Sequence, residues 1–438
     1  MRLEGKSGCA GALALVLATA AFAGEDEREH DRGHGREEIN VQVGVRPYYL
    51  IDKLADGPLK SRLNQCRNIE FHKTQFSIGH RGGATLQFPE HTREDHLAGA
   101  RMGAGIQECD VTFTKDGELV CRHDECDLHT TTNILVTDLA SKCTQPFSPA
   151  QFDAAGNRTK AASALCCTSD LTVSEFKSLK GKMDASNPNA TTPQQFLGGT
   201  PNWRTDLFST GAEVLTHKES IELLRSLGSK FTPEAKVFNP LAKTKPEDVF
   251  GSNNPRATFT QKIIDEYKAA GVPPHDVWAQ SFFREDIEYW IQHDPQFGKQ
   301  AVYLDDRYDT GTPKLDPLDP STWVPSFQEL RSRGYRIIAP PMYVLLTVEN
   351  GKIVPSPYAK AARAAGLDII TWTLERSGRI NEEVIPSRDF YYQSVIPALK
   401  NDGDILVALD VMARQVGIIG IFSDWAGTVT YYANCMGL

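Results

Sequence analysis

The sequence predicts an α/β chain folded as a (β/α)8 TIM barrel. From about residue 70 onward, short apolar runs alternate with helical patterns eight times. No G-x-G-x-x-G follows the first apolar run, where an open doubly wound sheet would carry its phosphate fingerprint. Histidine and carboxylate residues fall at or near the C-terminal ends of the first strands, the end at which such barrels place their chemistry.

Taken in order, residues 76–80 read as strand one and 92–102 as a helix, followed by strand two at 105–112. Residues 124–212, rich in Cys, Thr, Asn, Pro and Gly, are too long for a plain loop and predict a small disulfide-stapled insertion. A helix at 218–227 leads to strand three at 231–236. Helices at 261–270, 285–293, 326–333, 358–365 and 405–415 then alternate with strands at 276–282, 301–304, 336–339, 367–373 and 418–423. The barrel is expected to occupy residues 70–435.

The first residues read as an export signal spanning 1–23. Arg2 and Lys6 form a basic start, an apolar run covers 9–22, and Ala21-Phe22-Ala23 gives an A-x-A cleavage site. Residues 24–40 are charged and nearly free of large apolar side chains, which predicts a disordered linker. His30 and His34 within it read as part of a solvated tail. The chain is therefore expected to be secreted or periplasmic, without stable membrane insertion. Nine cysteines are present, and loss of Cys9 with the signal leaves an even number, which favours disulfides over zinc. Cys121 with Cys126, and Cys143 with Cys166 or Cys167, are candidate local bridges. A net charge of −9 without a long basic stretch argues against nucleic acid as a partner.

The chemistry concentrates between His80 and Asp124. Glu108 and Asp110 stand two apart on a strand, so both carboxylates face one side. Two carboxylates this close repel unless compensated, and a hard divalent cation is a natural compensator. His80 ends strand one at the same mouth. The Lys115-Asp116-Gly117 turn reverses the chain and can bring His123 back toward Glu108. With Arg81, this set suits phosphoryl transfer: cation and guanidinium neutralise phosphate oxygens while imidazoles move protons. Singly, each signal is ordinary. A lone strand-end His more often makes a structural hydrogen bond, and Lys-Asp-Gly is common turn chemistry. The weight lies in their order and position.

His80-Arg81-Gly82, Pro89-Glu90-His91-Thr92, Glu108-x-Asp110-Val111, Thr114-Lys115-Asp116-Gly117 and His123-Asp124 together resemble the signature of the glycerophosphodiester phosphodiesterases, which have a TIM barrel of the phospholipase C-like type. Pro233-Glu234-Ala235-Lys236, Gln280-Ser281-Phe282, Thr371-Trp372-Thr373 and Gly420-Ile421-Phe422-Ser423-Asp424 are similar to later elements of that family. The resemblance implies that Glu108, Asp110 and Glu234 bind one divalent cation, with His80 and His123 as the acid–base pair. It implies that Arg81 and Lys236 hold phosphate and that Trp372 walls the pocket. The substrate would be a glycerophosphodiester, cleaved to glycerol 3-phosphate and an alcohol. Ser281 and Asp424 read as structure, Asp424 as a cap for the following helix. An all-oxygen ligand set suits Ca²⁺ or Mg²⁺, and export favours Ca²⁺.

The chain departs from the family pattern in its long Cys-rich excursion, in Leu374-Glu375-Arg376 where an Asn-containing stretch is usual, and in Trp425-Ala426 where Pro is usual. One rival is a phospholipase D- or sphingomyelinase D-like enzyme, which would need an apolar rim. Another is a secreted binding protein that has lost catalysis, which retention of all seven polar site residues opposes.

Overall fold

The computed structural model describes residues 40–208 and 211–438, so the expected signal and linker at 1–23 and 24–40 lie outside the described residues save for residue 40. Eight parallel strands close on themselves: β1 (Thr74–Gly79), β2 (Ala104–Phe113), β3 (Lys230–Ala235), β4 (Gln280–Ser281), β5 (Val302–Leu304), β6 (Ile337–Ala339), β7 (Asp368–Leu374) and β8 (Gly420–Ser423). Each pairs with its sequence neighbour, and β1 pairs with both β2 and β8, which seals the barrel. A short strand, Leu119–Cys121, returns antiparallel along β2.

Period-two alternation sorts the strand side chains. Ile78, Ile106, Val302, Leu304, Ile337, Ala339, Ile370 and Phe422 point inward and plug the barrel. Cys109, Val111, Phe231, Ala235, Ile369 and Ile421 point outward into the larger core beneath the helices. The plug decides where the chemistry sits. Two residues beyond Ile78, Ile106, Ile370 and Phe422 on the same faces stand His80, Glu108, Trp372 and Asp424.

The regular part of strand four is shorter than its apolar run suggests. A 3-10 turn at Pro274–Asp276 fixes the approach, Val277 bridges Phe231, and the regular strand is confined to Gln280 and Ser281. The last crossover helix is α-helical over Asp404–Asp410 and continues as a π-type turn over Val411–Val416. Residues 41–69, to which the sequence reading assigns nothing, supply two helices, Arg46–Lys53 and Pro58–Asn64, that bury Leu50, Ile51 and Leu63. The Cys66–Cys435 disulfide ties this segment to the C-terminal helix Ala426–Met436.

Among the disulfides, Cys143–Cys166 realises one expected alternative, but Cys121 does not pair with Cys126. Cys121 bonds Cys109, because the antiparallel return strand sets Cys121 opposite Val111 and brings its outward side chain beside the outward face of β2. Cys126 bonds Cys167 instead. Between the return strand and the helix His217–Ser226, the chain forms short hairpins around a separate core that includes Leu128, Ile134, Leu171, Phe176 and Phe196.

Candidate active site

Strand register builds an acidic cluster. Asp110 is the Cα partner of Glu234, and Glu234 of Gln280. Glu108, Asp110 and Glu234 are all buried and bring carboxylate oxygens within 4.8 Å of one another. Burial, with Asp110 and Glu234 nearby, pushes the Glu108 carboxyl well above its usual range. Burial and Asp110 push Glu234 up to about 7, against the pull of Lys236. Such a cluster is costly without a compensating charge. Asp110 Oδ1 is buried with no protein partner, so the donor set fits one hard divalent cation.

Four of the other oxygens are held. Glu108 accepts from the Arg81 backbone N–H at 2.8 Å and from Gln280 Nε2 at 2.7 Å. His91 Nε2 lies 2.8 Å from Asp110 Oδ2. Lys236 Nζ donates to Glu234 at 2.7 Å. In the sequence, His91 and Gln280 stand out only as letters within motifs. The pairing of each with a cluster carboxylate depends on strand register and loop course, which carry no local signal.

His80 follows β1 directly and opens a tight turn that includes Gly82 at φ +122°. A Cβ at Gly82 would sit 2.2 Å from Asp95 Oδ2, so this approach of loop to helix requires glycine. His80 Nδ1 is bonded to Asp424, which leaves Nε2 facing the cluster, 3.9 Å from Glu108. Nδ1–H donates to the carboxylate, so Nε2 carries the free lone pair. Asp424 is therefore not the helix cap read from sequence. Its second oxygen takes Arg204 and Arg376 at 3.1 Å each. Against its burial, these arginines and His80 hold its carboxyl far below the usual range. Nothing local in the sequence shows that Arg204 meets a residue 220 positions later. Ser281, by contrast, bonds Asp286 at 2.7 Å, as a structural residue should.

A cavity of about 200 Å³ opens above the cluster. His80, Arg81, Glu108, His123, Glu234, Lys236 and Trp372 all line it, with Asp110 just behind. Burial lowers the His123 basicity, and Arg81 and Lys236 lower it further. His80 is lowered by burial, with Asp424 opposing. Burial thus disfavours the charged form of both imidazoles. Arg81 also donates to Glu90 at 2.8 Å, and Trp372 is fixed by its Nε1 bond to Ala339 O at 2.8 Å.

Fold and site together define a barrel whose mouth gathers two imidazoles, two cationic side chains and an acidic cluster at one cavity. The model of the glycerophosphoryl diester phosphodiesterase family matches residues 80–428, and the chain belongs to that family. An Arthroderma benhamiae protein named "Extracellular protein" is 43% identical over 258 residues, 58% of this chain and all of its own length. A Mycobacterium tuberculosis protein named as a glycerophosphodiester phosphodiesterase is 45% identical over 49 residues, 11% of this chain and 18% of its own. A solved Silicibacter pomeroyi protein carrying the family's name shares the fold, with a TM-score of 0.51 and 18% identity over 86% of this chain and 98% of its own.

Proposed function

We propose that the protein hydrolyses glycerophosphodiesters to glycerol 3-phosphate and an alcohol, with one divalent cation held by Glu108, Asp110 and Glu234. The observation that carries the reading is the joint lining of one cavity by both imidazoles, Arg81, Lys236 and two of the three carboxylates. Ca²⁺ is the favoured ion and Mg²⁺ the alternative, since all donors are carboxylate oxygens. When bound, the cation supplies Lewis-acid neutralisation of the phosphate's non-bridging oxygens.

Arg81 and Lys236 orient the diester and balance its charge. One imidazole, in its neutral form, accepts the proton of the attacking oxygen. The other, in its protonated form, gives a proton to the departing alkoxide, and the proton gained by the first replaces the one lost by the second before the next turnover. Asp424 fixes the His80 tautomer and supports its transient positive charge. Attack by water gives the products directly. Attack by the substrate's own 2-hydroxyl gives them through a cyclic phosphate that water opens.

The reading includes export. Four disulfides suit an oxidising compartment, and the Arthroderma relative is named as extracellular. No helix among the described residues is long and apolar enough to cross a membrane. The test is a substrate panel of glycerophosphodiesters with Ca²⁺ or Mg²⁺, scored by release of glycerol 3-phosphate. Release of the phosphorylated alcohol and free glycerol would reassign which ester bond is cut.

A further inference from the structure

We infer that a second cavity beside the catalytic pocket receives the alcohol half of the substrate and selects a cationic, quaternary-ammonium-type alcohol. The inference rests on the proposed glycerophosphodiester hydrolysis and names its specificity. The cavity measures about 540 Å³ and meets the catalytic pocket at Tyr391, which lines both. Its walls come from two segments. The end of the Cys-rich excursion brings Trp203, and the loop after β7 brings Arg376, Glu382, Glu383 and Asp389. These are two of the places where the sequence departs from the family pattern. The glycerophosphate half of the substrate is constant, and the alcohol is what varies. Walls built from divergent loops suit the variable half.

The wall chemistry is aromatic and acidic. Trp203 lines the cavity and is 37% exposed. It packs so closely on the β7 loop that a Cβ at Gly378 would lie 3.0 Å from its ring. Glu382 and Glu383 share one cation, Arg379. The Asp389 carboxylate accepts the Tyr391 backbone N–H at 2.9 Å. Arg376, the cation in the wall, is engaged with Asp424 at 3.1 Å and lies 3.9 Å from Asp184. The lining therefore carries excess negative charge beside an indole face. A trimethylammonium group matches that composition: it is attracted to the ring face and to carboxylates and needs no hydrogen-bond acceptor.

The test compares glycerophosphocholine with its neutral isostere, the 3,3-dimethylbutyl ester of glycerophosphate, on the cation-loaded wild-type enzyme. The expected kcat/KM is about tenfold higher for the cationic ester. In Trp203→Ala and in Asp389→Asn the ratio should fall toward unity. Equal kcat/KM for the two esters in the wild type overturns the assignment while leaving the phosphodiesterase reading intact. Hydrolysis of neither ester overturns both.

A different observation carries a second inference. Asn157-Arg158-Thr159 and Asn189-Ala190-Thr191 are N-x-T sequences, and both asparagines are exposed. They are neighbours in space, since Arg158 Nη1 donates to Asn189 Oδ1 at 2.8 Å. They lie in or beside the segment stapled by Cys126–Cys167 and Cys143–Cys166, which itself calls for an oxidising lumen. We propose that both carry N-linked glycans. In the transfer, the Asn amide nitrogen displaces the lipid diphosphate from a lipid-diphosphate-linked oligosaccharide. A C–N bond forms, the sugar C–O bond breaks, and the amide gives up one proton. Protein secreted by a eukaryotic host should lose mass on treatment with peptide N-glycosidase, with Asp appearing at both positions. Asn157→Gln and Asn189→Gln should each remove one glycan. Unmodified Asn157 and Asn189 peptides in the secreted protein would overturn the proposal.

Discussion

His80 shows how one strand-end residue becomes reactive. Inward alternation puts it above Ile78, and Asp424, set by the same rule above Phe422, takes its Nδ1. We predict that His80→Ala or His123→Ala lowers turnover by roughly two to four orders of magnitude. Near-normal turnover in either variant would remove that residue from the mechanism. Asp424→Asn, which keeps size but loses charge, should lower kcat by about 10²-fold with a smaller change in KM. A change confined to KM would make Asp424 a substrate-side group instead. Asp424 was misread in the sequence because a carboxylate one residue past a strand is also the pattern of a helix cap. Glu108 and Asp110 are legible from spacing and strand face alone, whereas Glu234, on another strand, is reached only through the family resemblance.

At the scale of elements, the return strand and the segment beyond it are less legible. Cysteine spacing favours near neighbours such as Cys121 and Cys126, whereas pairing follows strand adjacency, which joins Cys109 to Cys121. Strand four is legible in extent, since backbone pairing runs from Val277 to Ser281, but its regular part is only two residues long. Just beyond His123, burial raises the Asp127 and Glu125 carboxyls to about 7. A carboxyl raised in the folded state binds more protons than the unfolded chain between about pH 4 and 7. Stability therefore falls as pH rises through that window and stays lowered above it. Opposing the buried histidines His91, His96, His123 and His129, whose lowered basicity acts with the reverse sign, these two carboxyls tilt the unfolding midpoint downward between about pH 4 and 7. Asp127→Asn should remove part of that slope, on the order of 1 kcal/mol. A slope unchanged in the variant would contradict the assignment.

For the whole molecule, eight apolar runs sufficed to predict a closed barrel, because closure needs only eight βα units with inward and outward faces. The segment 41–69 was invisible, since its contacts are with the far end of the chain. Its clasp, Cys66–Cys435, spans 369 residues and closes the longest loop in the protein among the described residues. Replacing both cysteines by Ala should cost about 2–5 kcal/mol of unfolding free energy while leaving the barrel mouth unaltered. Loss of activity in a folded double variant would show instead that the clasp shapes the site.

The central claim is that three carboxylates hold one cation on which the two imidazoles depend. The direct measurement is glycerol 3-phosphate release by chelated enzyme before and after Ca²⁺ or Mg²⁺ is returned. The account predicts that chelation abolishes turnover and that the returned ion restores it in the wild type but not in Glu108→Gln. Full turnover in excess chelator would contradict it.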